Sequence, residues 1–273
     1  MESIRPIRPA AAYIGGKRRL AERIVRLIDR IPHTTYTEPF VGMGGVFLRR
    51  GRRPSVEIVN DLNRDVATFF RILQRHYPQF MDTLKFQISG RAAFERLVAT
   101  DPDTLTDLER AARFLYLQSL SFGGKVSGRT FGVDPTTPGR FNIHDLAPRL
   151  DALHDRLAGV IIECLSYSEF IGRYDRSGTL FYCDPPYWGS EGYYMKGSFT
   201  KTDFRQLAEI LAAIQGSFIL SINDCPEIRQ IFAAFKIEPV STVYSVSGGS
   251  AKTAPELLIT GGAGYSLEPD GLL

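Results

Sequence analysis

The residues best placed to do chemistry are Asp184-Pro185-Pro186-Tyr187. The turn residues Ser177-Gly178 lead into the apolar, β-prone run Leu180-Phe181-Tyr182-Cys183, which reads as a buried strand. The strand cannot continue, because two prolines remove two consecutive N–H donors and fix φ. A carboxylate, a rigid loop and an aromatic ring therefore follow the carboxyl end of a strand, where open α/β sheets bind ligands. A Pro-rich turn with a surface aspartate is the competing reading of the tetrapeptide alone.

Composition sets the limits for everything else. A chain of 273 residues is one large domain, or one domain with an insertion, and 44% hydrophobic with 23% charged residues is ordinary for a soluble fold. The net charge of +3 permits nucleic-acid binding without requiring it. Arg5 and Arg8 sit near the N-terminus with no apolar segment behind them, so a cytoplasmic protein with no membrane attachment is expected. Cys164, Cys183 and Cys225 lie far apart, and His33, His76, His144 and His154 show no ligand spacing. Cys164 and Cys183 read as small core residues. No metal is expected, and nothing pairs a Cys or Ser nucleophile with a base.

The elements that must position the loop can be followed along the chain. Tyr13-Ile14-Gly15-Gly16-Lys17 precedes a helix running to about Asp29, with Leu20, Ile24, Leu27 and Ile28 on one face. Lys17 at that helix start is able to hold an anion, or is simply solvated. A short strand at 35–38 runs into Pro39-Phe40-Val41-Gly42-Met43-Gly44 and then a helix, a geometry that lets a ligand touch backbone. The next strand, 56–59, ends at Asn60-Asp61, about twenty residues past the glycines, where a carboxylate accepts hydrogen bonds from ribose hydroxyls. Asp61 as a cap of the following helix is compatible with that role. Together the Gly turn and Asp61 point to an adenosine-containing cofactor. The absence of GxxxxGK[ST] argues against a nucleoside triphosphate.

Residues 76–121 read as helices at 77–88, 92–98 and 107–120, which interrupts the βα alternation and marks an insertion. In the stretch 121–132, Phe122, Lys125, Arg129 and Phe131 are interleaved with glycines, as suits an exposed hairpin reaching into a nucleic-acid groove or a solvated loop. Strands at 160–163, 179–183, 218–222, 237–246 and 256–260 then alternate with helices at 203–214 and 226–235.

Taken in this order, from Ala12 to Thr260, the segments resemble the Dam-type DNA adenine-N6 methyltransferases, which use S-adenosylmethionine. The resemblance rests on Gly15-Gly16-Lys17, the Glu38-to-Gly44 turn, Asn60-Asp61-Leu62-Asn63, Asp184-Pro185-Pro186-Tyr187 and Glu256-Leu257-Leu258-Ile259. It implies an α/β fold: a Rossmann-like methyltransferase sheet, mostly parallel with one antiparallel strand near the C-terminus, with helices on both faces. An inserted, mainly helical and hairpin target-recognition subdomain at 76–154 would separate catalytic segments 1–75 and 155–273.

Carried over residue by residue, Tyr13 and Lys17 would contact the cofactor near its methionine end. Glu38, Pro39, Phe40, Gly42 and Gly44 would line its turn, Asp61 would hold the ribose, and Tyr167 would flank the adenine. Asp184 would sit between cofactor and target base. The Asp184 carboxylate and Pro185 carbonyl would accept both N–H bonds of an adenine amino group, aiming its lone pair at the methyl donor. Pro186 would keep the loop rigid and Tyr187 would stack on the flipped base. Trp188 and Tyr193-Tyr194 either extend this aromatic wall or pack elsewhere.

Three positions depart from the family. Tyr13 stands where Trp is frequent, and Ser166 where Asp is frequent, which leaves the adenine-amino contact open. Phe122-Gly123-Gly124 replaces an aromatic-Asn-Gly pattern, so no target sequence follows. Lys125, Arg129 and, more weakly, Arg140 are the DNA-binding candidates. The expected partner is duplex DNA, with a cognate restriction endonuclease as an optional second, and the protein is expected to be a monomer. RNA adenine or cytosine-N4 methylation, or a DNA-binding homologue without activity, are the competing functions.

Overall fold

The computed structural model describes residues 1–17, 19–132, 136, 139–190, 199–244 and 252–267. Its centre is a seven-stranded sheet of β2 (Thr35–Glu38), β4 (Val56–Asn60), β5 (Ile161–Glu163), β6 (Thr179–Cys183), β7 (Ser217–Asn223), β8 (Lys236–Tyr244) and β9 (Lys252–Gly261). The order is β5-β4-β2-β6-β7-β9-β8; β9 runs antiparallel to both β7 and β8, and the other pairs are parallel. A separate two-residue ladder joins β1 (Glu2–Ser3) to β3 (Arg52–Arg53) and ties the N-terminal lead to the body.

Alternation along the strands builds two cores. On β6, Leu180 and Tyr182 face one core while Phe181 and Cys183 face the other, so the strand is buried on both sides. The first core is covered by α1 (Ala21–Arg30), α2 (Arg64–Arg75), α5 (Asp107–Leu120) and α6 (Ile143–Arg156). The second is covered by α7 (Tyr167–Tyr174), α8 (Lys201–Ala213) and α9 (Pro226–Ile231). Helices thus lie on both faces of a mostly parallel sheet.

Between β4 and β5 the chain is helical, with α3 (Tyr77–Leu84) and α4 (Arg91–Ala99) leading to α5. Thr106 and Glu109 form a reciprocal capping box at the start of α5. Several details differ from the sequence reading. The Gly-rich turn after β2 enters a single 3-10 turn, Phe47–Arg49, rather than a helix, because Gly51 and Pro54 follow at once. The helix expected at 77–88 stops at Leu84, leaving Phe86 and Ile88 exposed. Helices α6 and α7 are not evident from sequence, the first because Pro148 interrupts its pattern and the second because it spans only eight residues.

The stretch 121–132 is a loop closed by one bridge, Ser121 to Phe131, with a 3-10 turn at Phe122–Gly124 instead of an extended hairpin. Cys183 is buried as expected. Cys164 is exposed, because it follows β5 on the open edge of the sheet, and is not a core residue.

Candidate active site

Three adjacent parallel strands deliver three carboxylates to one edge of the sheet. β2 ends at Glu38, β4 is followed by Asp61, and β6 is followed by Asp184, with β2 between the other two. From β2 the chain adds β4 and β5 to one side, then crosses to build β6 and β7 on the other. That reversal of strand order opens a crevice outside the carboxyl ends. A cavity of about 880 Å³ fills the crevice, lined by Lys17, Phe40, Asp61, Tyr167, Asp184 and Pro186 among others. Its volume suits a small-molecule ligand.

Tyr13, Glu38, Pro39 and Gly42 also reach the cavity. Gly44 stands apart, since a Cβ on it would point into the core, 2.9 Å from Leu48 Cγ. Gly42 has φ +51°, and a Cβ there would come within 2.9 Å of the Tyr13 ring, so only glycine lets that aromatic close over the turn. Asn60 staples the surrounding loops. Its amide donates to the carbonyls of Pro39 and Leu165, at 2.9 and 3.0 Å, and accepts from Leu165 N–H at 2.8 Å.

The carboxylates differ in their surroundings. Asp61 accepts from the backbone N–H groups of Gly42 at 2.9 Å and Asn63 at 2.8 Å. Asn63, not Asp61, caps α2. Burial nevertheless pushes the Asp61 pKa up to about 6. Burial pushes Glu38 up to about 8, against the hydrogen bond it accepts from Tyr36 Oη at 2.7 Å and the charge of Arg50; the charge of Asp184 adds to the rise.

Asp184 is raised too, chiefly by burial, with Lys17 opposing and Glu256 adding to the rise. Its Oδ1 meets Lys17 Nζ at 2.6 Å and accepts from Ser221 Oγ at 3.1 Å. Lys17, only 2% exposed, also donates to Gly15 O at 2.9 Å. Ser221 is in turn linked to Tyr182 Oη at 2.8 Å. One oxygen of Asp184 is thus fixed from two sides. Its Oδ2 carries no hydrogen bond among the described residues.

Tyr187 stands beside the cavity, its ring 4.4 Å from Lys17 Nζ and its hydroxyl donating to buried Glu256 at 2.6 Å. Trp188 packs against Phe204, with a ring separation of 5.1 Å, and exchanges hydrogen bonds with Asn223. It is a packing residue and not part of the wall. Tyr193 and Tyr194 lie outside the described residues. Tyr167 forms the wall with Phe40 and Phe199, ring separations 5.7 and 5.5 Å, and its hydroxyl is held by Asp203 and Gln206 at 2.9 and 3.0 Å. Ser166 caps α7 in a capping box with Glu169, which occupies its hydroxyl.

Lys125, on the 121–132 loop, is half-buried, and Arg140, further along the chain, is exposed. Arg129 folds inward: its Nε donates to Lys125 O at 3.2 Å and its guanidinium lies 6.0 Å from the Phe114 ring centroid. Burial lowers its pKa to about 10. Arg5, Arg8 and Arg149 also line the cavity, all three exposed.

Ser221, Asn60 and Phe199 gain their roles only from the structure. Ser221 does carry a signal in sequence, being the one polar residue inside the apolar run Phe218-Ile219-Leu220-Ser221-Ile222.

Comparison with known proteins matches residues 13–246 to the family of D12 class N6 adenine-specific DNA methyltransferases. The chain belongs to this family. It is 28% identical to the DNA adenine methylase of Salmonella typhi over 90% of this chain and 92% of that protein. The DNA N-6-adenine-methyltransferase of Escherichia phage P1 is 28% identical over 89% of this chain, which spans only 34% of that longer protein. The Type II methyltransferase M1.LlaDCHI of Lactococcus lactis subsp. cremoris is 23% identical over 93% of this chain and 95% of that protein. The D12 methyltransferase described here is therefore a DNA adenine-N6 methyltransferase, and its family implies S-adenosylmethionine as cofactor and DNA as substrate.

The cavity fits that cofactor on its own chemistry. Asp61 is a half-buried carboxylate on the cavity wall, with lone pairs to spare beyond its two backbone N–H partners for added hydroxyl donors. Phe40, Tyr167 and Phe199 add an apolar aromatic wall to the same cavity, and Tyr13 closes over Gly42. Among the described residues no group of His, Cys, Asp and Glu could hold a metal ion, and no helix is long and apolar enough to cross a membrane.

Proposed function

We propose that this site methylates the N6 amino group of an adenine turned out of duplex DNA, and that Asp184 and Pro185 hold that amino group. The observation that carries the proposal is that, among the described residues, Asp184 is anchored by one oxygen only. Lys17 and Ser221 take Oδ1, and the oxygen left over is free to accept an amino N–H at the cavity. The Pro185 carbonyl, fixed between two prolyl rings, accepts the second N–H. Both acceptors draw the nitrogen lone pair out of conjugation with the ring.

When bound, S-adenosylmethionine supplies the methyl group. Asp61 holds the ribose hydroxyls, the Phe40–Tyr167–Phe199 wall takes the adenine, and Tyr13 closes over Gly42. Burial makes Asp184 more basic, which suits a group that must accept the proton the nitrogen loses. Tyr187, fixed through Glu256, presents its ring to the base. Two oxygen acceptors and a stacking ring call for no covalent enzyme intermediate.

Residues 76–154 are assigned to target recognition, flanked by catalytic segments 1–75 and 155–273. Lys125 and Arg140 are placed on DNA phosphates or bases, with Arg129 bracing the loop from within. The protein is assigned as a monomer that acts on duplex DNA in the cytoplasm. The name of the Lactococcus relative supports a search for a cognate restriction endonuclease.

The deciding experiment supplies the protein with radiolabelled S-adenosylmethionine and duplex DNA and identifies the labelled base. N6-methyladenine in DNA is the expected product. Label on cytosine, or in RNA alone, would refute the proposal.

Asp61 gives the cofactor half of the site a pH signature. Its raised pKa means that the ionised group costs folding free energy above about pH 6, a cost the cofactor's hydroxyls offset. As pH falls through about 6, the carboxylate gains a proton and loses acceptor capacity. Affinity for S-adenosylhomocysteine is expected to weaken over that range. Asp61→Asn should bind about tenfold more weakly (about 1.4 kcal/mol) and lose the pH dependence. Calorimetric titration from pH 5 to 8 on both proteins measures this, and parallel profiles would remove Asp61 from the ribose.

A further inference from the structure

The sharpest unexplained contacts lie between the two halves of the protein. Gln118, near the end of α5, is 1% exposed. Its amide nitrogen donates to Ala12 O at 2.7 Å and to Gly124 O at 2.6 Å, using both of its hydrogens. Its oxygen faces Arg129 Nη2 at 3.4 Å. Ala12 precedes Tyr13 at the cofactor cavity, whereas Gly124 and Arg129 belong to the recognition loop.

A second contact repeats the connection. Ile14 N–H donates to Gly124 O at 3.1 Å, so the residues on either side of Tyr13 are both tied to this node. Gly124 has φ +68°, and a Cβ there would sit 3.0 Å from Ala12 C and O and 3.1 Å from Tyr13 Cα. The loop backbone therefore rests directly on the backbone of the cofactor strap. From there the strap continues to the catalytic group: Gly16 N–H donates to Tyr13 O at 3.0 Å, Lys17 Nζ donates to Gly15 O, and the same Nζ holds Asp184.

We propose that Gln118 is a positioning residue that couples target recognition to the cofactor site, the loop and the Tyr13–Lys17 strap being held as one body. The proposal rests on the reading of the cavity as a cofactor and adenine site. Two carbonyls converging on one buried amide define a single loop position relative to Tyr13, and both ends of that arrangement meet a substrate. DNA that fixes the loop thereby fixes the aromatic over Gly42, and cofactor that fixes Tyr13 holds the loop ready for DNA. By linkage the effect is reciprocal.

The test measures binding of a fluorescent duplex containing a methylated site, with and without saturating S-adenosylhomocysteine. In the wild-type protein the cofactor product should tighten duplex binding about tenfold. Gln118→Met keeps the side-chain volume and removes the two hydrogen bonds to Ala12 O and Gly124 O together with the one accepted from Arg129. It should bring that factor close to one, while each ligand alone still binds within a few-fold of wild type. Gln118→Asn keeps a donor on a shorter stem that reaches one carbonyl at a time, and should restore an intermediate factor. An unchanged factor in Gln118→Met would overturn the proposal. If Gln118→Met does not fold, Gly124→Ala serves instead, since its methyl group must push Tyr13 away from the loop, and an unchanged factor there overturns the coupling equally. A wild-type protein that binds neither ligand contradicts the reading of the site. One that binds both without mutual effect overturns only the coupling.

Discussion

Asp184→Asn is expected to lower the rate of methyl transfer by about a thousandfold or more, about 4 kcal/mol of transition-state stabilisation. The neutral amide keeps the shape of the carboxylate but cannot match it as an acceptor, and it cannot take up a proton. The same substitution leaves Lys17, 2% exposed, without its counter-ion at 2.6 Å, so some loss of stability accompanies it. Single-turnover labelling, run beside S-adenosylhomocysteine binding on the same preparation, separates the two effects. Product affinity and the circular-dichroism spectrum should stay near wild type while the chemical step collapses. Turnover within about tenfold of wild type would take Asp184 out of the reaction. Ser221→Ala probes the same oxygen more gently, because Lys17 continues to hold Oδ1.

The Asp184 loop is legible in sequence because its physics is local. Two prolines cannot sit inside a sheet, so Asp184 has to leave the strand at its carboxyl end, and the fold places it there. Asp61 and Gly42 are legible as a pair for a related reason, since the parallel pairing of β2 with β4 brings the second strand's end back beside the first turn. The seven-stranded sheet follows from the same alternation.

What cannot be read is set by tertiary contact. Nothing about Gln118 in a helical run announces that it reaches two carbonyls on separate segments. Arg129 in sequence resembles a hand held out to DNA, yet Phe114 and Lys125 O draw it inward. Cys164 sits among apolar neighbours in sequence, but edge strand β5 leaves it exposed. Ser221 and Glu256 are different: polar residues within or beside apolar runs, they are visible, and their meaning requires knowing which side chains stand opposite.

Glu57 is the same kind of signal, and its removal is the largest stability effect expected. It interrupts the run Val56-Glu57-Ile58-Val59 in β4 and is 2% exposed. Its carboxylate accepts from Arg50 at 2.7 Å, from Arg156 through two hydrogen bonds of 2.6 Å, and pairs with Arg53 at 3.1 Å. Arg50 is fully buried, 3.6 Å from the Tyr36 ring centroid, and Arg156 lies 4.0 Å from that of Phe47. One anion is therefore the shared ion-pair partner of two buried guanidinium groups and of a third, partly exposed one, and it joins β4, the segment after the Gly turn and α6. Glu57→Ala would strand those cations, at a cost of about 3–5 kcal/mol, or a fall of about 10 °C in Tm. Glu57→Gln, which keeps the volume and one acceptor, should fall between. Because β4 leads directly into Asp61 and the turn carries Gly42, the loss should also loosen the proposed cofactor site, so that S-adenosylhomocysteine raises the Tm of Glu57→Gln by less than it raises that of the wild type. A loss under about 1 kcal/mol on urea unfolding of Glu57→Ala would mean that the arginines find water or other partners, and that the pull of one carboxylate does not hold these three segments together.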